Sequence, residues 1–172
     1  MSKSNPNPAA SANPKNGADK AQAPKRSLTP RRRAREYALQ GVYQSLVMRR
    51  AGSLPNSAMI AKQLAEDPAF KRCQLDLFQG IFEGVLERAD ELEAIITPAL
   101  DRPINELSPV EHAALLIGAY ELAVDISIPY KVAINEAVEL AKTFGGTDGH
   151  KYVNGVLDLV AQKLRTAETQ SN

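Results

Sequence analysis

The sequence predicts an all-α protein of about seven helices, because helical periodicity recurs in nearly every segment after residue 28. The strict polar–apolar alternation of a strand does not persist anywhere in that part of the chain for long enough to compete. Helix-start and helix-stop signals separate the periodic segments. We expect two packed helical bundles, one over about residues 28–100 and one over about residues 108–166.

The N-terminal half contains four predicted helices. The first has Thr29 as its cap and Pro30 in its first turn, ends near residues 50–52, and buries a stripe at i+4 spacing: Ala34, Ala38, Val42 and Leu46. A short helix over residues 57–64 precedes a break at Asp67-Pro68, and a longer helix then presents Phe78, Ile81, Phe82, Val85 and Ala89. A fourth helix carries Leu92, Ile95 and Ile96, and residues 100–107 form a linker.

The C-terminal half contains three predicted helices. Ser108 and Glu111 form a capping box around Pro109, and the helix that follows is apolar nearly all round, which predicts a central position. The stripe of the next helix is Ala133, Ala137, Leu140, Ala141 and Phe144. We expect Gly145-Gly146 to end that helix in the left-handed conformation and Thr147 to cap the next. The last helix has the stripe Val153, Val156, Leu157, Val160 and Leu164.

The N-terminal end is a basic segment on an otherwise acidic chain. Residues 1–27 contain four prolines and no Leu, Ile, Val or aromatic residue, so we expect a disordered tail. Residues 1–35 hold nine Lys and Arg against one acid, whereas the rest of the chain holds twelve against nineteen. Polyanions are the natural partners of such an end. A secretory or membrane-spanning apolar run is lacking, so we expect a cytoplasmic protein without membrane contact.

The sequence offers little support for catalysis, so we expect no enzyme, cofactor or metal site. Cys73 is the only cysteine, which excludes an internal disulfide and a cysteine zinc cluster. His112 and His150 are the only histidines, and they form no H-E-x-x-H motif. Gly145-Gly146 followed by Lys151 lacks the spacing of a phosphate-binding loop.

Four arginines at the start of the first helix form the sharpest functional feature: Arg31, Arg32, Arg33 and Arg35. A solvated positive face is the plain alternative for so short a cluster. However, a helix N-terminus already carries about half a positive charge, and each added cation costs about 0.3–1 kcal/mol at low salt. An anionic ligand that binds both the guanidinium groups and the free first-turn N–H groups is therefore favoured.

Two long runs of the sequence resemble the NusB family of bacterial transcription antitermination factors. They are RRRAREYALQGVY near the start, and PYKVAINEAVELAK with FG and then D-x-HK-Y-VNGVLD near the end. The resemblance covers about residues 31–164 and is weakest over residues 53–94. It implies that the four arginines bind RNA, specifically the single-stranded boxA element of ribosomal RNA leaders and antiterminator transcripts.

The resemblance also implies that Asp148, Lys151 and Tyr152, at the start of the last helix, lie against boxA. Tyr152 would stack on a base, and Lys151 would reach a phosphate. On the residues alone another interpretation stays open. Asp148 would then favour the helix dipole, and Tyr152 would simply pack against the protein.

Tyr43 and Glu111 are the residues that the resemblance assigns to NusE, a small-subunit ribosomal protein that also acts in transcription. Without the resemblance, Tyr43 would be interpreted as a core residue and Glu111 as half of a capping box. The sequence departs from the family at Leu116, where an arginine is frequent. Any polar contact of that arginine is absent or replaced.

The function implied is an adaptor that binds boxA RNA together with NusE and helps RNA polymerase resist termination, chiefly in ribosomal RNA operons. A homodimeric helical interaction module without an RNA role is the alternative, with the acidic body as its working surface. A third class is the RNA-binding domain fused to ribosomal RNA methyltransferases. The sequence contains no glycine-rich cofactor-binding segment to support that class.

Overall fold

The structure is a computed structural model that describes residues 27–171, and these residues form eight α-helices joined by loops and three short 3-10 helices. The α-helices are α1 (Pro30–Arg50), α2 (Ser57–Leu64), α3 (Leu75–Glu87), α4 (Ala89–Ile96), α5 (Pro109–Ala123), α6 (Tyr130–Phe144), α7 (Gly149–Leu164) and α8 (Thr166–Gln170). The 3-10 helices are Pro68–Arg72, Thr97–Ala99 and Ile104–Glu106. The all-α prediction is confirmed. The seven predicted helices correspond to α1–α7, and α8 is additional.

The predicted tail over residues 1–27 lies outside the described residues except for Ser27. Within residues 27–171, every helix is too short or too polar to cross a membrane. The division into two bundles stays a prediction, because helices of the two halves also pack against each other. Helix α5 packs against α1, α3 and α4 as well as against α6 and α7, and α1 also contacts α6.

Local sequence signals mark the N-terminal ends of α1 and α5. The Thr29 side chain accepts a hydrogen bond from the Arg32 N–H at 3.1 Å, as an N-cap should. Ser108 Oγ accepts from the Glu111 N–H at 3.2 Å, and Glu111 Oε2 accepts from the Ser108 N–H at 3.3 Å. The capping box at the start of α5 is therefore confirmed.

The predicted connection between α6 and α7 is wrong in two respects. Gly145 has an extended backbone, with φ −97° and ψ −176°, and a Cβ there would lie only 2.6 Å from the Ala141 carbonyl oxygen. Glycine is thus needed for a close approach and not for a left-handed turn. Asp148, rather than Thr147, is the N-cap of α7, and its side chain makes no capping hydrogen bond. Its φ of −113° and ψ of −1° are not the extended values that aim a capping oxygen at the next turn.

Helix α5 occupies the centre of the core. The predicted apolar stripes face it, and nearly all of their members are buried; the exception with the most exposure is Leu164 at 39%. Gly118 permits close packing of α5 and α7, since a Cβ there would lie 2.5 Å from Leu157 Cδ1. This packing fixes α5 and α7 relative to each other, and four candidate site residues lie near the N-terminal ends of these helices: Glu111, Asp148, Lys151 and Tyr152.

Arg165, the residue after α7, links α7 by hydrogen bonds to the end of α5 and to the loop before α6. It is 6% exposed, and its guanidinium donates to the carbonyl oxygens of Glu121, Leu122, Asp125 and Ile128. These acceptors lie at the end of α5 and in the loop before α6, where helix carbonyls lack partners within the helix. Glu168 on α8 pairs with the same guanidinium at 2.5 Å, which lowers the pKa of Glu168.

Candidate nucleic-acid interface

The N-terminus of α1 presents three of the four candidate arginines to solvent to different degrees. Arg31 is exposed, and its Nη1 donates to Gln74 Oε1 at 3.4 Å. The Arg32 side chain is 41% exposed, and Arg33 is half-buried with its Nε enclosed. The first turn of α1 contains no acidic residue that would neutralise this charge. The three side chains are placed where a helix N-terminus already favours an anion.

Arg35 does not belong with the other three. It is only 3% exposed, and its Nε donates to Glu121 Oε1 on α5 at 2.7 Å. Burial raises the pKa of Glu121, and the contact with Arg35 opposes that shift. A guanidinium in this position cannot contact RNA without breaking a buried ion pair. We therefore exclude Arg35 from the candidate interface.

Glu136 on α6 connects the buried ion pair with the exposed arginines. Its Oε1 lies 3.3 Å from Arg32 Nη2, and its Oε2 lies 3.9 Å from Arg35 Nη1. The hydrogen bonds that Arg32 donates to the Glu136 carboxylate raise the pKa of Arg32 above its ordinary value. Arg32 is thus held against α6 in the absence of a ligand, and an RNA phosphate would compete with the Glu136 carboxylate for it.

The N-terminus of α7 carries the second group of candidate residues. Lys151 Nζ and Asp148 Oδ1 form an ion pair at 3.4 Å, and both side chains are more than 70% exposed. Such an exposed pair contributes little to stability, so Lys151 is free to exchange Asp148 for a phosphate. Tyr152 is half-buried and packs against the core.

An arginine that sequence reasoning missed covers Tyr152. Arg102 Cζ lies 4.4 Å from the centroid of the Tyr152 ring, within the range of a cation–π contact. A base can therefore stack directly on Tyr152 only if Arg102 moves. The local sequence around Arg102 contains no signal of this contact, because the two residues are fifty positions apart.

Of Tyr43 and Glu111, the candidate contacts for a protein partner, Tyr43 lines a groove, whereas Glu111 lies beside the groove without lining it. Tyr43 is 41% exposed and lines a cavity of about 650 Å³ together with Val110 and Phe144. Glu111 follows Val110, holds the capping box, and approaches α7 so closely that a Cβ at Gly149 would lie 2.9 Å from its Oε1. The groove and the N-terminus of α7 are therefore adjacent surfaces.

Leu116 and His112, two further residues from the sequence analysis, are both buried. Leu116, where the resemblance implied an arginine, is 1% exposed and packs in the core, so this chain has an apolar contact at that position. His112 is buried; its Nδ1 accepts a hydrogen bond from Arg50 Nη2 at 3.3 Å, and its Nε2 donates to Glu93 Oε1 at 3.1 Å. Burial, with the nearby Arg50 and Arg49, lowers the pKa of His112 to about 4. Among residues 27–171, no three His, Cys, Asp or Glu side chains are grouped as a metal site would require.

Comparison with known proteins identifies the family of this chain. The family model of the NusB family matches residues 32–162, which is most of the chain and includes every helix from α1 to α7 at least in part. The chain belongs to the NusB family.

The curated relatives include transcription antitermination protein NusB from Methylobacillus flagellatus, which is 51% identical over 140 residues, covering 81% of this chain and 88% of that protein. The protein of the same name from Bordetella pertussis is 50% identical over 150 residues, covering 87% and 97%. NusB of T. maritima matches in structure with a TM-score of 0.67 at 28% identity, covering 83% of this chain and 98% of that one. A complex of antitermination factors NusB and NusE with dsRNA shares the fold, with a TM-score of 0.67 at 24% identity.

Proposed function

We propose that this NusB-family protein is a transcription antitermination factor that binds boxA RNA together with NusE and helps RNA polymerase resist termination. The observation that carries the proposal is the 50% identity, over nearly the whole of a relative, to proteins named transcription antitermination protein NusB. The protein acts by assembly and not by catalysis. Its place of action is the cytoplasm, where bacterial transcription takes place.

The candidate RNA surface consists of the N-terminal turn of α1, with Arg31, Arg32 and Arg33, and the N-terminal turn of α7, with Lys151. Each of these side chains is at least partly exposed and cationic. Most contacts to a nucleic acid backbone are made by such groups and by helix N-termini. The complex of a fold relative with NusE and dsRNA supports a surface that serves RNA and protein together.

NusE is proposed to bind at the groove that Tyr43 lines. An aromatic ring that is 41% exposed beside apolar Val110 and Phe144 has the character of an interface anchor. Glu111 follows Val110, which lines the groove, and its carboxylate lies against Gly149 at the start of α7. NusE bound here would therefore stand next to RNA, and the two ligands would assist each other's binding.

Gel-shift and sizing assays with boxA RNA, a scrambled RNA and NusE test this proposal. We expect a mobility shift with boxA, a weaker one with the scrambled RNA, and a tighter shift when NusE is added. A protein that elutes as a homodimer and binds neither RNA nor NusE would overturn the proposal and favour the interaction module.

Tyr43→Ala is expected to weaken NusE binding by roughly tenfold or more while RNA binding by the protein alone stays unchanged, because truncating an interface anchor typically costs more than about 1 kcal/mol. Leu159→Ala is a matched control, since Leu159 on α7 is similarly exposed at 48% and does not line the groove. Calorimetric titration with NusE measures both.

Glu111 is best tested as Glu111→Gln, which removes the charge but retains an oxygen for the capping box. Equal NusE affinity of both variants and the parent would show that the partner surface lies elsewhere.

A further inference from the structure

We infer that Arg102, stacked on Tyr152, is the platform on which an unpaired base of single-stranded RNA stacks. The inference rests on the proposed function, since it assigns a contact within the RNA surface. It replaces direct stacking on Tyr152 by stacking on the guanidinium that covers it. RNA-binding proteins use the planes of arginine as well as those of aromatic rings for unstacked bases.

Two contacts fix the plane of the Arg102 guanidinium. Asp101 holds one edge, with Nε to Oδ1 at 2.8 Å and Nη2 to Oδ2 at 3.4 Å. The Tyr152 ring covers one face, with Cζ 4.4 Å from the ring centroid. The Arg102 side chain nevertheless remains 42% exposed. An edge and one face are thus occupied, and the exposed fraction of the side chain leaves room for a ligand on the face away from Tyr152.

The same contacts argue for a base and against a phosphate as the ligand of Arg102. Arg102 and, to a smaller extent, Tyr152 lower the pKa of Asp101, so its carboxylate is ionised at neutral pH. A phosphate that approached Arg102 would meet this carboxylate, which is 67% exposed and already occupies the Nε–Nη2 edge of the guanidinium. Stacking uses the face of the guanidinium and leaves the Asp101 pair intact.

The surroundings of the platform suit a stacked nucleotide. Tyr152 is anchored in the core on its inner side, and burial raises the pKa of its hydroxyl. Lys151, next to it in sequence, is 73% exposed and can neutralise the phosphate of the nucleotide whose base lies on Arg102. The base and phosphate contacts would then come from neighbouring side chains with separate roles.

The test compares Arg102→Lys with Arg102→Ala and with the control Arg88→Lys. Lysine keeps the positive charge and removes the plane. Arg88, between α3 and α4, is an exposed arginine that also faces a carboxylate, Glu91 at 4.0 Å. Each variant of the full chain, with equal amounts of NusE, is titrated with boxA RNA that carries 2-aminopurine at one position at a time. Thermal unfolding confirms that the variants are folded.

We expect 2-aminopurine at one or two positions to be quenched by the wild type, and Arg102→Lys to lose that quenching with roughly 5- to 100-fold weaker affinity. The salt dependence of binding should not change, and Arg88→Lys should behave as the wild type. If Arg102→Lys binds and quenches as the wild type does, while Arg102→Ala flattens the salt slope by about 0.7, a phosphate contact replaces this inference. A wild type that fails to bind boxA RNA would overturn the proposed function as well.

Discussion

Arg35→Ala is expected to destabilise the folded protein by about 3–5 kcal/mol, the usual cost of removing one partner from a buried ion pair. Arg35 and Glu121 are 3% and 1% exposed, and the shortest distance between them is 2.7 Å. Without Arg35, the buried Glu121 carboxylate loses its hydrogen-bonded partner, and the nearby Glu136 and Asp125 carry charge of the same sign. Urea unfolding followed by circular dichroism measures the loss.

Arg32→Ala is the matched control, because Arg32 belongs to the same run of arginines but its side chain is 41% exposed. We expect a loss within about 1 kcal/mol for it, as for other solvent-exposed ion pairs. The double variant Arg35→Met with Glu121→Leu should recover most of the stability that Arg35→Ala loses, because apolar groups replace both charges. Equal stability of Arg35→Ala and the parent would contradict an internal role for this arginine.

Sequence patterns predicted the fold correctly where residues close together in the chain determine the local structure. The Thr29 cap and the capping box of Ser108 and Glu111 involve residues three positions apart, and both were predicted correctly. The buried stripes followed from helical periodicity for the same reason. In the loop after α6, however, the conformation of Gly145 depends on how close its backbone comes to Ala141, and glycine alone does not determine it.

The candidate site was harder to predict because its geometry depends on contacts between distant helices. Arg35 looked equivalent to Arg31, although it lies four and seven residues before the buried Leu39 and Val42 and so shares their face of the helix. An acid within an apolar helix, Glu121, was the second available signal of an internal partner. The contact between Arg102 and Tyr152 had no such signal, since it depends on the packing of the linker against α7.

Replacing Arg31, Arg32 and Arg33 together by alanine is expected to abolish most RNA binding with little effect on the fold. The three side chains are partly or fully exposed, and they oppose the dipole of their own helix. If each contacts one phosphate, the slope of log affinity against log salt should flatten by about 2, at roughly 0.7 for each phosphate of a single strand. Glu136 holds Arg32 in the free protein, so the contribution of Arg32 should be the smallest of the three.

Titrations of boxA RNA at several salt concentrations measure this slope, and a triple variant elsewhere on the surface provides the control. Arg49, Arg88 and Lys163 are exposed and lie away from the first turn of α1, so their replacement by alanine lowers the net charge by the same amount. A general effect of charge would weaken binding by a similar amount in both triple variants, because both lose the same net charge. If the arginines of α1 contact RNA directly, only their replacement should both weaken binding and flatten the dependence of log affinity on log salt. An identical slope in the two variants would remove the arginines of α1 from the RNA interface.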